Sequence, residues 1–73
     1  MFVILVEYSA GNYPAYDSIL DNLFGKISCA GGCGFGIRDL WYDMENEAEA
    51  NRVYAEVKDR LPAGATAEIR NVN

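Results

Sequence analysis

The chain contains no histidine, only two cysteines and six basic residues, and no apolar run longer than Met1–Val6. Each shortage closes off a class of function. Without an imidazole there is no ready general base at neutral pH, and no Ser–His or Cys–His pair to activate a nucleophile. Two thiols without histidine fall short of the four protein ligands of a closed structural zinc site. No catalytic, cofactor-binding or metal-binding residues are therefore expected. The opening apolar run is too short to span a bilayer, and it lacks the basic leader and small-residue cleavage site of a secretory signal. A cytoplasmic setting away from membranes is expected, with Cys29 and Cys33 as free thiols. Six basic against eleven acidic residues leave a net charge of −5. That field repels nucleic-acid phosphate and anionic lipid, and it favours a protein partner with a basic surface.

What is present is enough apolar material for a core, 51% of the residues with 12% aromatic, in one small domain spanning residues 1–73 and close to the lower size limit for unaided folding. Residues 2–8 are β-branched, aromatic and too few for a typical helix, so they predict a buried strand. Pro14 suits the start of a helix. Tyr16, Ile19, Leu20, Leu23 and Phe24 then form its apolar stripe, with Asp17, Asp21 and Asn22 on the other side and Gly25 as the stop. Residues 26–30 predict a short strand, Gly31-Gly32 a hairpin turn, and residues 34–44 a long strand. Asn46 is placed to cap a second helix with Glu49 at the capping-box position. Ala50, Val53, Tyr54, Val57 and Leu61 line its apolar face, and Pro62-Ala63-Gly64 ends it. Residues 66–72 alternate as a last strand.

The order β-α-β-β-α-β with short connections predicts an α+β domain of the split βαβ, or ferredoxin-like, type. It comprises a four-stranded antiparallel sheet with two helices on one face and the first and third strands central. Alternation in the long strand puts Phe35, Ile37, Asp39, Trp41 and Asp43 on one side and Gly34, Gly36, Arg38, Leu40, Tyr42 and Met44 on the other. The apolar positions change phase at Arg38-Asp39, where a β-bulge would bring them all to one side. Without a bulge, Phe35, Ile37 and Trp41 face outward among aspartates. Either way, apolar side chains of the central strands lie on the face away from the helices, which predicts an apolar contact surface.

Cys33-Gly34-Phe35-Gly36-Ile37-Arg38-Asp39-Leu40 resembles the third-strand signature of the RNA-recognition motif, matching it at Gly34, Phe35 and Gly36. The resemblance implies the same fold, with Phe35 and Phe2 as base-stacking residues. Cys33 stands in place of the basic first position, and the acidic residues that follow disfavour nucleic acid as the partner. The pair Cys29-x-x-x-Cys33 has the wrong spacing for a thioredoxin-like site, though the two would lie across a turn at Gly31-Gly32, within reach of oxidation. The glycines of residues 32–36 open a strand and not a helix, so they do not build a phosphate-cradling loop.

Asp39, Asp43, Glu45, Glu47 and Glu49 are five of the eleven acidic residues, with only Arg38 close by. Trp41 and Tyr42 interleave with them as ring anchors of the kind that dominate interfaces. The expected function is a non-catalytic protein-interaction module. It would bind a basic partner surface through Phe35, Ile37, Asp39, Trp41, Asp43, Glu45 and Glu47, with a homodimer through the sheet as a further form. In size and charge the chain resembles phage-encoded inhibitors of host systems, anti-CRISPR proteins among them, which implies an inhibitory partner interaction. The rival expectations are an RNA-recognition-motif-like nucleic-acid binder and a small metabolite-binding regulatory domain.

Overall fold

A computed structural model describes residues 1–72. The elements run β1 (Phe2–Ser9), α1 (Ala15–Phe24), β2 (Ala30–Gly34), β3 (Ile37–Met44), α2 (Glu47–Val57) and β4 (Thr66–Asn71). A 3-10 turn over Ala10–Asn12 and a cis Tyr13–Pro14 peptide bond lead into α1. The strands form one antiparallel sheet in the order β2-β3-β1-β4, so β1 and β3 are central. Among the described residues no helix is long and apolar enough to cross a membrane.

Register decides which side chains meet the helices. β1 and β3 pair without interruption from Phe2 opposite Met44 to Ser9 opposite Ile37. Of the two arrangements open from the sequence, β3 therefore takes the one without a bulge at Arg38-Asp39. Ile4, Val6 and Tyr8 of β1 and Leu40, Tyr42 and Met44 of β3 share one face. There they join Leu20 of α1 and Ala50 of α2 in a single buried cluster. Burying a side chain such as Leu20, fully enclosed here, contributes about 1.5–3 kcal/mol. Tyr16, Leu23, Phe24, Val53 and Tyr54 close the cluster from the two helices, and Phe24 stacks on Tyr42 with ring centroids 4.0 Å apart. Leu61 also packs here although α2 ends at Val57.

The helix termini follow from local chemistry. Asn46 Oδ1 accepts the Glu49 backbone N–H at 2.8 Å, while the Glu49 carboxylate accepts from the Glu45 N–H at 2.9 Å. The acid thus reaches one residue further back than a capping box requires. Gly25 ends α1 with φ of 72° and donates to the Asp21 and Asn22 carbonyls. In α1 itself Ile19 is 46% exposed and lies off the core-facing stripe. Asp17 and Asp21, expected on the solvent side, instead accept hydrogen bonds from the sheet tyrosines Tyr8 and Tyr42. The sheet-facing side of α1 reads 17, 20, 21, 24, an i, i+3, i+4, i+7 series that includes two carboxylates.

The hairpin turn is not at Gly31-Gly32. Those residues lie inside β2, paired with Leu40 and Asp39, and the two-residue loop is Phe35-Gly36. Both loop residues have positive φ, 53° and 76°, the signature of a type I′ turn. Gly31 sits opposite Leu40 because a Cβ there would come within 3.0 Å of the Arg38 guanidinium and 3.2 Å of the Asp39 carbonyl oxygen. Phe35 is the costly choice: a bulky residue in the left-handed region, with its ring fully exposed. Asn is the favoured residue at that position. Phe35→Asn should therefore raise the unfolding free energy by about 1 kcal/mol, read as a higher denaturant midpoint with an unchanged slope. An unchanged or lower midpoint would show that the turn does not strain Phe35.

Candidate interaction surface on the open face of the sheet

The face away from the helices carries Val3, Leu5, Glu7 and Ser9 of β1 beside Asp43, Trp41, Asp39 and Ile37 of β3. It is completed by Ala30, Gly32 and Gly34 of β2 and by Thr66, Glu68 and Arg70 of β4. The broad apolar patch expected there does not form. Val3 and Leu5 are only 2% and 4% exposed. Leu5 lies between Trp41 and Glu68 in register, and Val3 between Asp43 and Arg70, at cross-strand distances where neighbouring side chains close over them. Trp41, half-buried, donates from Nε1 to Asp39 Oδ2 at 3.0 Å. It therefore serves as a cover for the face and as a tether for Asp39.

What the face does present is negative charge over a bare floor. Glu7 and Asp39 are direct cross-strand partners, and like charges in that relation repel. Among the described residues neither has an ion-pair partner. Beside them lies a trough of about 330 Å³ lined by Glu7, Gly32, Cys33, Gly34, Ile37 and Asp39. A second depression, of about 390 Å³, shares Glu7 and Ile37 and continues toward Ser9, Thr66 and Gly64. Glycines at 32 and 34 keep the floor open: a Cβ at Gly32 would approach Asp39 Oδ1 to 3.2 Å, whereas one at Gly34 meets nothing within 4 Å. Four carboxylates, Glu7, Asp39, Asp43 and Glu68, thus face this side, with Arg70 bonded to Glu68 at 2.8 Å and Lys26 3.5 Å from Asp43.

The residues singled out from the sequence are divided by the fold. Ile37, Asp39 and Trp41 come together with Glu7. Phe35 stands at the hairpin tip next to Ile37. Asp43 lies toward the other end of the same face. Glu45 and Glu47 are off it, in the loop after β3 and the first turn of α2, roughly 26 Å along the chain direction from Ile37 at about 3.3 Å per residue. Glu7 and the glycine floor are the components that sequence reasoning missed. The signal for Glu7 was there, as the only charge in the first strand and in phase with Val3 and Leu5. Phe2 and Phe35 are not side by side: Phe2 packs against the core on the helix side, at the far end of β1.

The other polar cluster is on the helix side and holds the fold. Arg38 Nη2 donates to Asp17 Oδ2 at 2.7 Å and Nε to Oδ1 at 3.3 Å, while its guanidinium lies 4.9 Å from the Tyr13 ring centroid. The Tyr8 hydroxyl donates to Asp17 Oδ1, and the Tyr42 hydroxyl to Asp21 Oδ1 at 2.6 Å. Burial, reinforced by the bond to Asp17 and by its charge, pushes the Tyr8 phenol up to about 12. Burial and Asp21 push the Tyr42 phenol up as well. Burial alone would raise the Asp17 carboxyl, but the hydrogen bonds from Arg38 and Tyr8 and the Arg38 charge outweigh it and hold that carboxyl below its ordinary 3.8. Both thiols are free and exposed. Cys29 and Cys33 do not lie across a turn; Cys29 immediately precedes β2 and Cys33 lies inside it, roughly 13 Å apart at about 3.3 Å per residue. That is beyond the roughly 7 Å between Cα atoms that a disulfide bridges.

No protein-family model, curated protein or solved structure matches this chain.

Proposed function

We propose that this chain is a small protein-interaction module of ferredoxin-like fold. It would take a basic side chain of a protein partner into the trough between Glu7 and Asp39. Two observations support the fold reading: the element order β-α-β-β-α-β and the central position of β1 and β3. The functional reading rests on one observation, the facing Glu7 and Asp39 carboxylates over a glycine floor, with no ion-pair partner for either among the described residues. A guanidinium or ammonium from a partner would relieve their repulsion and match the sign of the whole face. Ile37, 44% exposed, and the Phe35 ring offer apolar contact beside it. The trough is too shallow and too charged to enclose a metabolite, since small-molecule sites are mostly apolar and bury most of the ligand.

Trp41 reports on the site directly, because its indole is bonded to Asp39. Titration with a peptide alternating arginine and apolar residues should change Trp41 fluorescence at low salt and progressively less as salt rises. Glu7→Gln with Asp39→Asn should weaken that binding at least tenfold. Gly34→Val, which adds a side chain at the trough floor where a Cβ meets nothing within 4 Å, should do the same while all charges remain. Equal affinity in both variants, or equal binding of a peptide with glutamate in place of arginine, would sink the proposal.

A further inference from the structure

The strand β2 lies at an edge of the sheet, and nothing about its sequence blunts that edge. Edge strands are ordinarily protected by charged side chains or proline. The opposite edge, β4, has Glu68 and Arg70. β2 reads Ala-Gly-Gly-Cys-Gly, mostly exposed, within Ile27–Ile37, the longest uncharged stretch of the chain. Because a two-residue loop makes Gly34 and Ile37 a hydrogen-bonded pair, the antiparallel alternation turns the N–H and C=O of Gly31 and Cys33 away from β3. These backbone groups face outward from the edge of the sheet.

The segment is also nearly the same in both directions from Gly31: Ala30 and Gly32, then Cys29 and Cys33, Ser28 and Gly34, Ile27 and Phe35. Two copies paired antiparallel about a two-fold axis at Gly31 would therefore set small residue against small residue and thiol against thiol. Each exposed Ile27 would meet the other copy's Phe35. From this juxtaposition of a bare edge and a self-complementary register, we infer that β2 pairs with β2 of a second copy of this chain to form a homodimer with a continuous sheet. The charge distribution agrees. Each copy carries −5 overall, and this stretch is where two copies meet without opposing carboxylates. The two Gly31 residues exchange both of their outward hydrogen bonds. Cys33 N–H points toward Cys29 of the other copy, whose own N–H is already bonded to the Trp41 carbonyl at 2.8 Å. So short an interface falls below the roughly 1,200 Å² typical of standard-size complexes, which makes the dimer reversible and concentration-dependent. The strained, solvent-exposed Phe35 also acquires a role, as the apolar clasp at each end. The inference is independent of the Glu7–Asp39 trough.

Sedimentation over a wide concentration range should show a monomer–dimer equilibrium. Phe35→Asn, expected to stabilise the fold, should weaken it by roughly tenfold or more in Kd, and the denaturant midpoint of the same variant separates loss of the dimer from unfolding. Thiol trapping reads the register. With oxidised glutathione as the oxidant, each disulfide forms as two thiols give up two protons and two electrons, and the glutathione disulfide is reduced to two thiols. The wild-type chain should yield a covalent dimer. Cys29→Ser alone and Cys33→Ser alone should each abolish it. An equimolar mixture of the two variants should restore it, because one Cys33 then faces one Cys29. A chain that stays monomeric at every concentration would overturn the inference, as would single variants that cross-link as well as wild type.

Discussion

Replacing Asp17 with alanine should cost about 3 kcal/mol of folding free energy. Domains of this length are stable by roughly 4–11 kcal/mol at the usual per-residue range, so the loss is a large share of the total. The reason is that one carboxylate serves two donors. Arg38, 17% exposed at its side chain, would keep its charge on the helix side of the sheet with nothing to neutralise it. The Tyr8 hydroxyl, on a residue 2% exposed, would lose its acceptor. Asp17→Asn should cost less, since an amide oxygen still accepts from Tyr8 while the ion pair is gone. Adding Arg38→Met to Asp17→Ala should recover part of the loss, because no charge is then left without a partner. Urea unfolding of wild type, Asp17→Ala, Arg38→Met and the double variant closes the cycle; equal midpoints for wild type and Asp17→Ala would show that the cluster is ornamental. The sign with pH follows from the lowered Asp17 carboxyl. The contribution is complete above 3.8 and is lost as pH falls through the folded-state value, where the unfolded chain binds the proton first.

That cluster also marks where the sequence ceased to be legible. Alternation and helical spacing were enough to find both helices, the central strands and the antiparallel sheet, because each buries an apolar periodicity that no other element competes for. Periodicity counts an aspartate or arginine as a solvent residue, however, so it put Asp17 and Asp21 on the outside of α1. It also left Arg38 as a break in phase that a bulge would have to repair. The partner that makes Arg38 tolerable toward the helices is 21 residues away in the chain, and local patterns do not carry that. The turn was misplaced for a related reason. Gly31-Gly32 has the better intrinsic turn chemistry, but a Cβ at Gly31 would crowd Arg38, Leu40 and the Asp39 backbone. The glycines are spent on close packing in β2, and Phe35 must take the left-handed position instead. On the open face, Ile37, Asp39 and Trp41 were visible in the sequence as a group. Glu7 joined them only once the register set β1 against β3.

Alkaline pH should unfold this protein, and two tyrosines should announce it. The ordinary phenol value is 10.0, and burial with the Asp17 bond moves Tyr8 to about 12. Between those values the unfolded chain ionises Tyr8 and the folded chain does not, so unfolding releases a proton and stability falls as pH rises. The contribution is fully present below 10 and is lost as pH rises through the folded-state value. Tyr42, raised by burial and by Asp21, pulls in the same direction. The chain has five tyrosines. Part of the phenolate absorbance should therefore appear only together with the loss of far-ultraviolet circular dichroism, in one cooperative step. Tyr8→Phe should remove one phenolate from that step and make its onset less steep in pH, since fewer protons leave on unfolding. If all five phenols titrated with the circular dichroism intact, Tyr8 and Tyr42 would not be held neutral by burial and their aspartates. The helix-side network would then be looser than its geometry implies.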